Sequence, residues 1–136
     1  MIESAGQDKK KLNYIPGSCN IGEVEIRRRY RIGFIGIGIT FLLMIIIEMT
    51  NANHGWRLLI FFPLFYGLSG FIQAWKKFCY VYGFRSLMSM TGRKKFEKNK
   101  NPDFSQMDRN TAYLIVSTVT LGSIIFTSLY YIAGLK

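Results

Sequence analysis

Residues 32–47, IGFIGIGITFLLMIII, contain no charge, and the run is preceded directly by Arg27-Arg28-Arg29-Tyr30-Arg31. An uncharged apolar stretch of this length, fenced by arginines, has one stable home, which is a bilayer crossed as a helix. Two further runs of the same kind follow, at 58–75 and 110–135. The pattern predicts an all-α membrane protein with three transmembrane helices, at about 32–50, 58–75 and 110–135, accompanied by short interfacial amphipathic helices. At 1.5 Å per residue, nineteen residues cover roughly 28 Å, the thickness of the hydrocarbon core.

The distribution of charge predicts an orientation. Of the eighteen Lys and Arg residues, seven precede the first run, Arg57 stands alone between the first and second, and nine lie between the second and third. The positive-inside rule then places the N-terminus and the 76–109 loop in the cytoplasm and the 51–57 loop and C-terminus outside. The expected location is a cell membrane crossed several times, a bacterial inner membrane. The first apolar run begins after thirty-one residues, is too long for a signal-peptide core, lacks an A-x-A site and is followed by further spans. The formal charge of +10 is explained by this topology, so no nucleic acid is expected as a partner.

Residues 1–18, with Lys9–Lys11 and the Pro16-Gly17 turn signal, read as a flexible cytoplasmic tail, and 19–136 as a single three-helix membrane domain with the basic loop 76–109. In CNIGEVEIRRRYR, Asn20 with Glu23 has the capping-box spacing, and Glu23/Arg27 and Glu25/Arg29 are i,i+4 pairs in the favourable order. This predicts a short helix lying at or entering the inner interface, with continuation into the first span left open. Arg27, Arg28 and Arg29, with Lys94 and Lys95 in the basic loop, are candidate contacts for anionic lipid or for a partner. The stretch KKFCYVYGFRSLMSM, residues 76–90, predicts an amphipathic extension of the second helix ending near Gly92. Pro102 reads as a stop, with Asp103 or Ser105 starting another short helix.

Within the spans, Gly36 and Thr40 form a small-xxx-small pair, an invitation to a second helix of this chain or of a neighbour. Pro63 predicts a kink early in the second span. Glu48 is the one acidic residue in a predicted span. It lies within a turn of the outer end, where it can pair with Arg57 or His54, handle a proton or cation, or meet a partner. Gln73 sits near the inner end of the second span. Ser117, Thr120, Ser123 and Thr127, spaced 3, 3 and 4 apart, predict one polar helical face, for packing or for lining a water path.

The two cysteines, Cys19 and Cys79, flank the first helical hairpin on the predicted cytoplasmic side. A reducing compartment argues against a disulfide. Packing thiols, or a thiol pair used in metal or redox chemistry, are the readings left open, and a closed zinc site needs four ligands. The single histidine excludes a haem held by two His ligands within one chain. No P-loop, G-x-S-x-G or H-E-x-x-H pattern is present, and no cofactor is expected.

Cys19, Asn20, Gly22, Glu25, Arg28 and Arg29 before the first span, with Phe78, Cys79 and Gly83 after the second, resemble a pattern of small uncharacterised bacterial integral membrane proteins: C-N-x-G-x-x-E-x-x-R-R, then F-C-x-x-x-G. The resemblance covers residues 19–85 and implies a defined unit without an assigned activity. The functional expectation is a non-catalytic accessory, assembly or stabilising subunit of a larger inner-membrane complex, partnered by the bilayer and by other membrane subunits or by itself. The alternatives are a homo-oligomeric transport or channel unit, and a thiol-dependent redox or metal-binding membrane protein.

Overall fold

The computed structural model describes residues 14–90 and 96–135. Helix α1 runs Glu23–Met49. A 3₁₀ segment at His54–Ile60 leads into α2, Phe61–Lys76. A short helix α3, Tyr80–Arg85, precedes a two-stranded antiparallel ladder of β1, Leu87–Met88, and β2, Glu97–Lys98. The last helix, α4, covers Pro102–Ala133. Three helical stretches, Glu23–Met49, His54–Lys76 and Pro102–Ala133, are long and apolar enough to cross a membrane.

The three are arranged as a layer rather than a triangle. Helix α2 is central, with α1 packed along one side and α4 along the other, while no extensive contact joins α1 to α4. The α1/α2 crossing is closed by glycine. A Cβ placed on Gly36 would lie 2.5 Å from Gly67 Cα, and one on Gly67 would lie 2.8 Å from the Ile37 nitrogen, so backbone meets backbone there. Thr40 is buried on the same face and returns its hydroxyl to Gly36 O at 2.8 Å. The small face of α1 is therefore used within this chain. On the other side, Phe78, Ala112, Ile115 and Val119 form the main apolar core, with Phe65, Leu68 and Phe84 packed against it.

Several local expectations are revised. The interfacial helix runs on into the first span as one continuous helix, which the sequence allowed, but its N-cap is Gly22, not Asn20. Asn20 is fully buried and bonds elsewhere, because a tertiary partner outcompetes the local capping pattern. The second helix does not continue past Lys76. Lys77 adopts a left-handed conformation (φ 54°) and turns the chain into α3. The region is not purely helical, since β1, within the stretch that reads as a helical extension, pairs with β2 in the basic loop. Pro102 starts α4 instead of stopping a helix. It occupies the first turn, where its missing N–H costs nothing, and Asn101 caps it by accepting from Asp103 N at 3.0 Å. Likewise, Pro63 lies in the first turn of α2, just after the 3₁₀ segment. Tyr14–Ser18, placed by sequence in a flexible tail, form a turn around Gly17 (φ 69°), in which Ile15 and Cys19 bridge. Lys94, Lys95 and the Lys9–Lys11 run lie outside the described residues, as does Gly92.

Candidate functional site

Two polar constellations sit at opposite ends of the layer: a cap built from residues on either side of the first hairpin, and a cluster at the tip of the hairpin.

The cap is organised by a strap, residues 14–22, laid across the ends of α2 and α4. Asn20 works as a peptide mimic. Its Nδ2 donates to Cys79 O at 3.1 Å, and its Oδ1 accepts from Cys79 N at 2.7 Å. Its own backbone continues the pattern, with Asn20 N donating to Lys77 O, Ser89 N donating to Asn20 O, and Gly22 N donating to Ser89 O. Gly22 is held so closely against the Met90 carbonyl that a Cβ there would collide with it. Gly83 faces a similar limit from the Phe78 ring and Asp108 O. The residues of the two short cysteine-containing segments thus meet in one place.

Glu25 and Arg29 point into the same region. Arg29 Nη2 donates to Cys79 Sγ at 3.2 Å, and one Glu25 oxygen lies 3.8 Å from Arg28 Nη1. Glu25 is only 7% exposed, and its second oxygen and Arg29 Nε have no partner among the described residues. Burial pushes the Cys79 thiol up, against the opposing pull of Arg29, and burial also raises Cys19 and Tyr82. Both cysteines are free and buried, so they are neutral, shielded thiols and not exposed nucleophiles. Among the described residues no group of three or more His, Cys, Asp or Glu side chains is placed to hold a metal.

The strap's far end is fixed by Asp108, which is fully buried on α4. Tyr14 Oη donates to its Oδ2 and Gly17 N to its Oδ1, each at 2.7 Å. Asn99 Nδ2 donates to Tyr14 Oη at 2.8 Å, and Thr111 Oγ1 donates to Gly17 O at 2.7 Å. Burial, then the bond to Asp108, raises the Tyr14 phenol. Asp108 did not stand out in the sequence. The only clue was its place just before the third apolar run, one residue from Arg109.

At the hairpin tip, Glu48 Oε1 lies 2.8 Å from Arg57 Nη2 and accepts from Tyr130 Oη at 2.9 Å. The Arg57 guanidinium also lies 4.7 Å from the Tyr130 ring centroid and packs against Gly134. Arg57 is the more enclosed partner, with its side chain 12% exposed against 53% for Glu48. Of the pairings open to Glu48, the structure uses Arg57 and adds Tyr130, so that one cluster joins α1, the 3₁₀ segment and α4.

The remaining candidates do not converge. Gln73 is buried and turns back on its own helix, donating to Ser69 O at 3.0 Å. In α4 the Ser/Thr stripe divides. Ser123 and Thr127 are buried, Thr120 is half-buried and bonds Val116 O, and Ser117 is exposed. The packed face of α4 actually runs through Asp108, Ala112, Ile115, Val119, Ser123 and Thr127. Arg27, Arg28 and Arg29 also separate: Arg29 turns inward, whereas Arg27 and Arg28 are exposed. No protein family, curated protein or solved structure matches the chain.

Proposed function

We propose that this chain is a non-catalytic integral membrane protein, an accessory, assembly or stabilising subunit of a larger inner-membrane complex. The observation that carries the reading is how its polar groups are used. Asn20, Asp108, Glu48 and Arg57 are engaged in holding the chain's own helices and strap together, while Gln73 bonds back to Ser69 on its own helix. The layer arrangement supports the same reading, because α1 and α4 each keep a broad apolar face turned away from α2. Intramembrane polar groups left for permeation would instead face a common axis.

The orientation that accompanies this reading puts the cap in the cytoplasm and the hairpin tip outside. It is supported by the exposed basic residues Arg27, Arg28, Arg31, Lys76, Lys77, Arg85, Lys98, Lys100 and Arg109, all at the cap end, while Arg57 at the tip is paired with Glu48. Purification from native membranes in mild detergent at endogenous level, followed by mass spectrometry of co-migrating chains, tests the subunit reading. A stoichiometric larger complex is the expected result. A lone oligomer of this chain would overturn it and favour transport.

A further inference from the structure

One face of α1 has the vertical order of a phospholipid. Arg27, Arg31, Phe34 and Gly38 are spaced 4, 3 and 4 apart and share a helical face. All four are exposed. Arg27 and Arg31 lie at the cap end of α1, where the charged part of the helix gives way to the apolar run. Tyr30 flanks them and meets the Phe71 ring edge-on, at 6.2 Å between centroids. Phe34 stacks edge-on against Phe71 at 5.0 Å, one turn deeper. A turn further down, Gly38 opens the face: a Cβ built there would meet nothing within 4 Å.

Gly38 is the anomaly. Glycine is disfavoured in a helix interior relative to alanine. Gly33 and Gly36 have a reason to be glycine, since α2 closes over them. Among the described residues none closes over Gly38, so the notch fits an external occupant.

We infer that this face binds an anionic phospholipid, with its phosphate between Arg27 and Arg31 and one acyl chain lying over Phe34 and Phe71 into the notch at Gly38. Charge complementarity selects this occupant. Two guanidiniums stand over the apolar strip, and the acid near them, Glu23, meets Arg27 at 3.6 Å on an exposed surface where such a contact is weak. Guanidinium presents paired donors to phosphate oxygens, and the arginine stems can lie along the acyl region while the charge stays at headgroup level. A partner helix fits less well, because the positions four residues to either side of Gly38 are Phe34 and Leu42, which hold another backbone away. The inference rests on α1 spanning the membrane and is independent of the subunit reading, since it concerns the isolated chain.

The test is native mass spectrometry of the delipidated, detergent-purified protein mixed with palmitoyl-oleoyl phosphatidylglycerol or phosphatidylcholine. Wild type is expected to retain phosphatidylglycerol about thirtyfold better, the order set by two interfacial arginines. Arg27→Ala/Arg31→Ala should bring it down to the phosphatidylcholine level. Arg27→Lys/Arg31→Lys should keep part of the preference, and Gly38→Leu should lower retention of both lipids. Lys98→Ala/Lys100→Ala, which removes the same charge elsewhere at the cap end, should change nothing. Circular dichroism checks that each variant stays helical. Equal retention of the two lipids by wild type would overturn the proposal. So would a loss in the Lys98/Lys100 control as large as in the arginine variant, which would indicate a diffuse field. A switch from dimer to monomer in Gly38→Leu would also overturn it, by assigning the face to a second copy.

Discussion

Replacing Asn20 by alanine tests the cap most directly. The side chain is fully buried and satisfies both backbone groups of Cys79, at 2.7 and 3.1 Å. Alanine removes both partners at once and leaves an N–H and a C=O buried. Each unsatisfied group costs roughly 1–3 kcal/mol, so the variant should lose about 2–5 kcal/mol after some relaxation towards water. Asn20→Asp separates the two bonds. A carboxylate still accepts from Cys79 N but offers no donor to Cys79 O, and it adds a buried charge, so it should be no better than alanine. Asn20→Gln keeps both groups but displaces them by one methylene in a filled site, and should fall between wild type and alanine. Unfolding in mixed micelles by increasing SDS fraction, followed by circular dichroism, measures all three. Amide exchange at Cys79 and Ser89 reports whether the loss is local. If Asn20→Ala matches wild type within about 0.5 kcal/mol, the side chain is not satisfying buried backbone, and the account of the cap fails.

Other perturbations separate the remaining interactions. Gly67→Ala should destabilise by about 1–3 kcal/mol in the same titration, because its Cβ meets the Ile37 and Gly36 backbone and the helices must part. Gly38→Ala, with open space around it, should show no loss. Asp108→Ala should free the strap, seen as faster exchange at the Gly17 amide, whereas exchange in α1 stays unchanged. Glu48→Gln should cost less than about 1 kcal/mol, since Glu48 is half exposed and its pair with Arg57 is screened. Arg57→Ala should cost more, through the lost packing on Tyr130 and Gly134. The Cys79 thiol is raised by burial, so the neutral form stabilises the fold. That contribution is complete below the ordinary thiol value of about 8.5 and is lost as pH rises through the displaced value. Cap stability should therefore fall on the alkaline side, and Cys79→Ser should remove part of that slope.

The three long helices were legible because an uncharged apolar run is a signal that hardly depends on tertiary context. Their ends were not. Residues 19–23 carry a good capping box, yet Asn20 forgoes the local bond for one to Cys79, fifty-nine positions away. Lys77 breaks the second helix in a left-handed conformation with no glycine or proline to announce it. Pro102 was ambiguous in principle, since the same residue both ends helices and begins them. Glu48 was visible as a lone intramembrane acid, and its pairing with Arg57 was among those the spacing allowed. Asp108 was hidden among polar neighbours, where a carboxylate ordinarily faces water. Its burial depends on Tyr14 and Gly17, ninety or more residues earlier in the chain.

That separation has a consequence for biosynthesis. Tyr14 and Gly17 leave the ribosome long before Asp108 and Thr111, to which they are finally joined. Until α4 emerges, the strap can fasten to Lys77, Cys79 and Ser89 through Asn20 and Gly22, but Tyr14 and Gly17 lack their Asp108 and Thr111 partners. The cap is thus complete only when α4 is in place, and a product truncated before α4 would leave Tyr14 and Gly17 without the partners that the finished chain supplies.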